Sequence, residues 1–220
     1  MGQLIGSGAI FLSAGVPDPG ANHFLGEGDS AAISAAVSGL LYVTLGRRRL
    51  VWGGHPAITP MIWSVAEAMN VDYGEWVTLY QTLLFEDEFP EETARFDNVV
   101  FVEAVGTDRE QSLEKMRKRM LGETRFEAAV FIGGMAGIMN EYEMIQASGA
   151  SVKMIPVAST GGAAAILHQQ LGADPMLVDE LDYVALFHKA LAIDPNERRY
   201  RVPSEQPETQ AERISIPTRK

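Results

Sequence analysis

A chain without a single cysteine must do its chemistry with oxygen and nitrogen. Thiolate nucleophiles, thiolate metal ligands and disulfides are excluded together. The four histidines, His23, His55, His168 and His188, stand far apart with no ligand-like spacing, so the sequence predicts no metal site and no resident cofactor. What remains are hydroxyls, carboxylates and guanidinium groups set beside glycines. There are 21 glycines, where an average content of about 7% would give about 15. Gly15, Gly53-Gly54, Gly133-Gly134 and Gly161-Gly162 each follow a short apolar run and precede an amphipathic one. Glycine at such a junction lets the backbone approach a ligand. The helix that follows offers free N–H groups and a partial positive charge, which suit phosphate. One such turn is ordinary loop geometry. Four of them point to a phosphorylated or nucleotide-like small molecule.

The polar residues beside these turns are the candidate ligands. Ser13 precedes the first turn, His55 and Thr59 follow the second, and Ser159 and Thr160 precede the fourth. Each suits a phosphate, ribose or base contact, and each equally suits a turn cap. Asp18 and His23 in the first loop are candidates to reach a base. Arg117 has the planar fork that matches phosphate oxygens, although Lys115, Lys118 and Arg119 beside it also describe a solvated helix face. Met135 and Met139 read as core or pocket wall. Trp52 and Trp63 read as core.

The elements that position them follow from the apolar pattern. Short apolar runs at 9–14, 49–52, 77–85, 98–105, 128–132 and 151–157 read as strands. Amphipathic stretches at 29–45, 57–69, 108–121, 136–147, 163–171 and 181–191 read as helices, with Asp29 and Asp108 as caps and Pro60 in a first turn. The acidic stretch 86–92 reads as a surface loop. Strict alternation predicts an α/β fold, a single Rossmann-like domain whose parallel sheet is flanked by helices on both faces. The domain is expected to cover residues 1–193. From Asp194 the prolines and charges predict a mobile tail over 194–220, in which Ile214 and Ile216 alternate as a short docking strand would.

Standard nucleotide fingerprints are missing. There is no GxxxxGK[ST] loop, and Gly6-Ser7-Gly8 precedes the first strand rather than following it. The net charge of −11 opposes binding to nucleic acid. No apolar run is long enough for a membrane span, and the first residues lack a signal-peptide pattern. The expectation is a soluble, cytoplasmic protein.

The segment from Met116 to Glu143 carries the most specific pattern. Arg117-Lys118 stands on a helix, a strand follows, and then comes Gly-Gly-Met-Ala-Gly-Ile-Met-Asn-Glu over 133–141. This resembles the LOG phosphoribohydrolases of the SLOG superfamily, with their Arg-Lys pair and P-G-G-x-G-T-x-x-E motif. Ile132 replaces the motif proline, Ile138 its threonine, and one extra residue separates Gly134 from Glu141. The phrases at 11–19, 50–60 and 159–164 look like a bacterial SLOG branch linked to TIR-type, anti-phage nucleotide signalling.

The turn residues and the resemblance together point to a ligand site built from Ser13, Gly15, Gly53, Gly54, His55, Thr59, Arg117, Gly133, Gly134, Met135, Gly137, Glu141, Ser159, Thr160, Gly161 and Gly162. The resemblance implies that Arg117 and Glu141 act on an N-glycosidic bond if the chain is an enzyme, with Glu143 as substitute if the extra residue shifts the register. It also implies a homo-oligomer, dimer or tetramer. The altered motif ranks a sensor of an ADP-ribose-type or nucleoside phosphate ligand before a nucleoside 5′-monophosphate hydrolase, and both before a ligand-free interaction protein. A sensor of this size needs an effector protein or an oligomer to carry its output.

Overall fold

Successive side chains of a strand point to opposite faces, and here both faces are apolar, so the strands must be covered twice. The computed structural model, which describes residues 8–17, 28–69 and 71–214, shows that double cover. In chain order it builds β1 (Ala9–Gly15), α1 (Ser30–Thr44), β2 (Leu50–Trp52), α2 (Thr59–Glu67), a one-turn α3 (Tyr73–Trp76), β3 (Val77–Thr82) and β4 (Val99–Val102). There follow α4 (Arg109–Glu123), β5 (Phe126–Gly133), α5 (Ala136–Ala147), β6 (Lys153–Val157), α6 (Gly162–Leu171), a short α7 (Met176–Asp179), α8 (Tyr183–Ala190) and α9 (Gln210–Arg213). The strands lie in the order β4-β3-β2-β1-β5-β6, every pair parallel.

Alternation along the strands sorts the core into two layers. Ile10, Leu12, Val130 and Ile132 face α1, α2 and α8, where Leu40, Ile62 and Phe187 meet them. Ala9, Phe11, Ala129 and Phe131 face the other way, onto Met116, Ile138 and Leu167 of α4, α5 and α6. Each fully buried Leu, Ile or Phe contributes about 1.5–3 kcal/mol, so neither layer is dispensable. The caps form where the sequence places them. The Asp29 carboxylate accepts from the N–H groups of Ala31 and Ala32 at 2.8 and 3.0 Å, and that of Asp108 from Gln111 at 3.0 Å. The single Rossmann-like domain expected from the pattern is the fold observed.

Three expectations need correction. The strand expected over 77–85 ends at Thr82, because the Thr82 hydroxyl accepts from the Leu84 N–H and turns the chain into 3-10 helix over Leu83–Glu88. The acidic loop that follows is itself turned, with a second 3-10 segment at Glu91–Arg95.

The segment expected to be mobile is also held, up to residue 214. Glu197 is buried, with Arg48 donating to it from Nη1 at 2.6 Å and Nη2 at 3.2 Å, and Arg213 lying 3.7 Å away. Trp76 Nε1 donates to the Arg201 carbonyl at 3.0 Å. Ile214 pairs antiparallel with Glu197, while Ile216 lies outside the described residues. Charge content suggested solvation here, but these charges are neutralised by one another inside the protein.

Candidate functional site

From β1 the chain builds outward through β2, β3 and β4, then returns to lay β5 on the other side of β1. That reversal leaves a crevice outside the carboxyl ends of β1 and β5, the place where open α/β sheets bind ligands. Gly15 and Gly133 close the two strands side by side, and the Gly134 N–H donates to the Gly15 carbonyl at 2.7 Å. Gly134 has φ +69°, and a Cβ there would collide with Ile138, so only glycine permits this tight exit into α5. The first turn of α5 contains no acidic residue, and Met135, Ala136 and Gly137 line the cavity in front of it. The first N–H groups of a helix have no intrahelical acceptor. This end of α5 is therefore suited to an anion. The cavity encloses about 1140 Å³.

Three polar side chains converge in it. Ser13, near the carboxyl end of β1, donates its hydroxyl to Glu141 Oε2 at 2.5 Å. Arg117, from α4, donates Nε–H to Glu141 Oε1 at 3.1 Å. Glu141 stands in the second turn of α5 and is largely shielded, its side chain 12% exposed against 13% for Arg117. Burial pushes the Glu141 carboxyl above its ordinary range, while Arg117 and Ser13 act in the opposite sense. Glu143 also lines the cavity but is exposed, and the carboxylate that Ser13 and Arg117 contact is that of Glu141. Arg117 engages the carboxylate through Nε alone, and its two Nη groups have no hydrogen-bond acceptor among the described residues. One of them lies over Gly137, where a Cβ would sit 3.0 Å from Nη2.

The second glycine pair forms the opposite wall. His55 packs its ring against Gly15, and its Nδ1 accepts from the Ala57 N–H at 3.2 Å. Burial lowers its pKa, which favours a neutral ring with its proton on Nε2, beside Gly15. Thr59 is fully buried and donates to the His55 carbonyl at 3.2 Å, bracing the loop from behind.

A protein-family model described as the SLOG cluster3 family matches residues 23–191, most of the chain. The chain belongs to the SLOG cluster3 family. Comparison with curated proteins and with solved structures returned no match.

In this SLOG chain the structure gathers Ser13, Gly15, Gly53, Gly54, His55, Arg117, Gly134, Met135, Gly137 and Glu141 around one cavity. It sets the other sequence candidates behind the wall. Thr160 is fully buried, donating to the Val157 carbonyl at 2.6 Å and accepting from the Gly133 N–H at 2.8 Å. Gly162 packs on the Gly134 carbonyl, which accepts from Ala163 N–H at 3.0 Å. Gly161 is the residue that caps the start of α6, and the Ser159 hydroxyl meets the Tyr183 hydroxyl at 3.1 Å. Asp18 and His23 lie outside the described residues. Met139 and Trp63 pack partly buried on the two core layers.

The sequence reading missed the far wall of the SLOG cavity, made by Gln81, Phe85, Phe89 and Arg109. The Arg109 guanidinium lies over the Phe85 ring, 5.1 Å from its centroid. Gln81 is 4% exposed, and its Nε2 has no hydrogen-bond partner. A buried donor left unmade costs about 1–3 kcal/mol. A polar residue inside the apolar run 77–82 was the available signal. Among the described residues no group of His, Asp or Glu is placed to hold a metal, and no helix is long and apolar enough to cross a membrane.

Proposed function

We propose that the cavity binds a nucleotide-derived small molecule, an ADP-ribose-type or nucleoside phosphate ligand, and that the protein acts as its sensor. The observation that carries this reading is the Arg117 geometry. Its Nε is committed to Glu141 while both Nη groups remain available at the acid-free N-terminus of α5. A phosphate placed there gains charge-assisted bonds from the guanidinium and backbone N–H groups from the helix. Glu141, tied to Ser13 as well, fixes the arginine and suits a hydrogen bond to a ribose hydroxyl. Family membership supports a nucleotide-related ligand, because the SLOG superfamily resembled by the sequence binds or cleaves nucleotide derivatives. In this reading the bound state is passed on to a second copy of the chain or to an effector protein.

A second reading is favoured by the shielded carboxylate of Glu141. In it, Glu141 stabilises positive charge developing on ribose C1′ as the bond to the base breaks. Water then adds its hydroxyl to C1′ and its proton goes to the base. A thermal-shift panel of AMP, NAD, ADP-ribose and cyclic ADP-ribose isomers separates the two, followed by chromatography of each ligand. Stabilisation with intact ligand supports the sensor. Released base, lost in Glu141→Gln, supports the hydrolase. No shift with any of the four sinks both readings.

A further inference from the structure

The cavity is longer than its anion end requires. It runs along α4 from Arg117 to Arg109, both of which line it. Eight residues of helix rise about 12 Å, the reach of a nucleoside phosphate laid out straight. The two ends differ in chemistry. The Arg117 end meets the open start of α5. The Arg109 end is unsuited to a second anion, because the Asp108 carboxylate already caps α4 and Glu88, Glu110 and Glu114 line the wall. Arg109 itself is held over the Phe85 ring.

What that end does offer is a flat surface and an uncommitted amide. Phe85 and Arg109 make a stacked pair of the kind on which planar rings settle. Gln81 lies with its amide against Gly54, which takes φ +68° in a position where a side chain would strike that amide. The Gln81 Nε2 has no partner. Gln81 lines the cavity, and rotation about its last side-chain bond exchanges the places of the amide nitrogen and oxygen without moving β3. A carboxamide then pairs a donor and an acceptor with the edge of a nucleobase.

We infer that Gln81, Phe85 and Arg109 form a second subsite that takes the uncharged heteroaromatic ring of the ligand, its edge at Gln81 and its face on the Phe85–Arg109 stack. The inference rests on the anion site described above, which holds the phosphate at the other end.

Calorimetric titration of the full chain with AMP and with ribose 5-phosphate, which lacks the ring, tests it. The wild type is expected to bind AMP at least tenfold more tightly than ribose 5-phosphate. Gln81→Leu and Phe85→Leu are each expected to narrow that gap by about fivefold or more, leaving ribose 5-phosphate binding within about twofold. Gln81→Leu removes an orphan amide, so its melting temperature should match or exceed the wild-type value; if it fails to fold, Phe85→Leu alone decides. AMP bound no better than ribose 5-phosphate, or a gap untouched in the variants, overturns the ring subsite and leaves the anion site standing. Binding of neither probe overturns both.

Discussion

Two shielded arginine–glutamate pairs stand at opposite ends of one sheet. At the amino ends of the strands, Arg48 grips Glu197 with both Nη groups, and Glu127 and Arg213 complete the cluster at 3.3 and 3.7 Å. At the carboxyl ends, Arg117 holds Glu141 through Nε only. The Glu197 carboxylate is at 0% exposure, while the Arg117–Glu141 pair borders a cavity. A buried pair whose hydrogen-bonding capacity is used up can only hold the fold together. One that keeps two donors in reserve can hold a ligand as well. Similar residue types thus give a clasp at one end and a grip at the other, and geometry decides which.

That contrast breaks first at the clasp. Glu197→Ala leaves buried Arg213 without a carboxylate and Arg48 with Glu127 alone, and should cost about 3–5 kcal/mol of stability, read by denaturant unfolding. A loss near zero would show that the cluster does not anchor the C-terminal segment. The grip should respond in binding. Arg117→Ala is expected to weaken AMP by about tenfold to a hundredfold, the value of a charge-assisted bond, and to cost less stability than Glu197→Ala. Equal losses in stability would erase the distinction between the two pairs.

The pH dependence sharpens it further. Burial holds the Glu141 proton more tightly in the folded chain than in the unfolded one. Its contribution is therefore full below the ordinary carboxylate value of 4.5 and lost as pH rises through the raised folded value. The melting temperature of Glu141→Gln minus that of the wild type should climb across this window. A flat difference would mean that Glu141 is not shielded in solution. The smallest effect is expected at Gly137. Alanine in the middle of a helix gains about 0.5–1 kcal/mol over glycine, the gain is smaller in the first turn where Gly137 stands, and the new Cβ would press on Arg117 Nη2. Unchanged or slightly raised stability with weaker AMP binding is the expected result. Unaltered binding would place the ligand away from that nitrogen.

Much of this was legible in the sequence, for a physical reason. Strands buried on both faces write continuous apolar runs, so β1 through β6 and the long helices α1, α2, α4 and α5 stand within a few residues of where the pattern puts them, while the one-turn α3 was not read. The glycine pairs were legible as junctions but not as roles. Gly54 and Gly134 open onto the cavity, whereas Gly162 is needed because the Gly134 carbonyl passes too close for a side chain. A turn that admits a ligand and one that admits another backbone leave the same letters. Thr160 shows the same ambiguity, since its hydroxyl serves two backbone groups rather than a ligand. Beyond the polar Gln81 in an apolar run, the far wall left no trace, because Gln81, Phe85 and Arg109 come together only through the turn after β3. The tail misled because its charges find partners more than a hundred residues away.

Glu197 and Arg213 have one practical consequence. Both lie beyond residue 191, where the family match stops. Trimming the gene to the matched segment would remove a counterion from the middle of the molecule. A shortened protein made for crystallisation or for fusion to a reporter should therefore keep the chain through at least residue 214, where the antiparallel pairing with Glu197 is made.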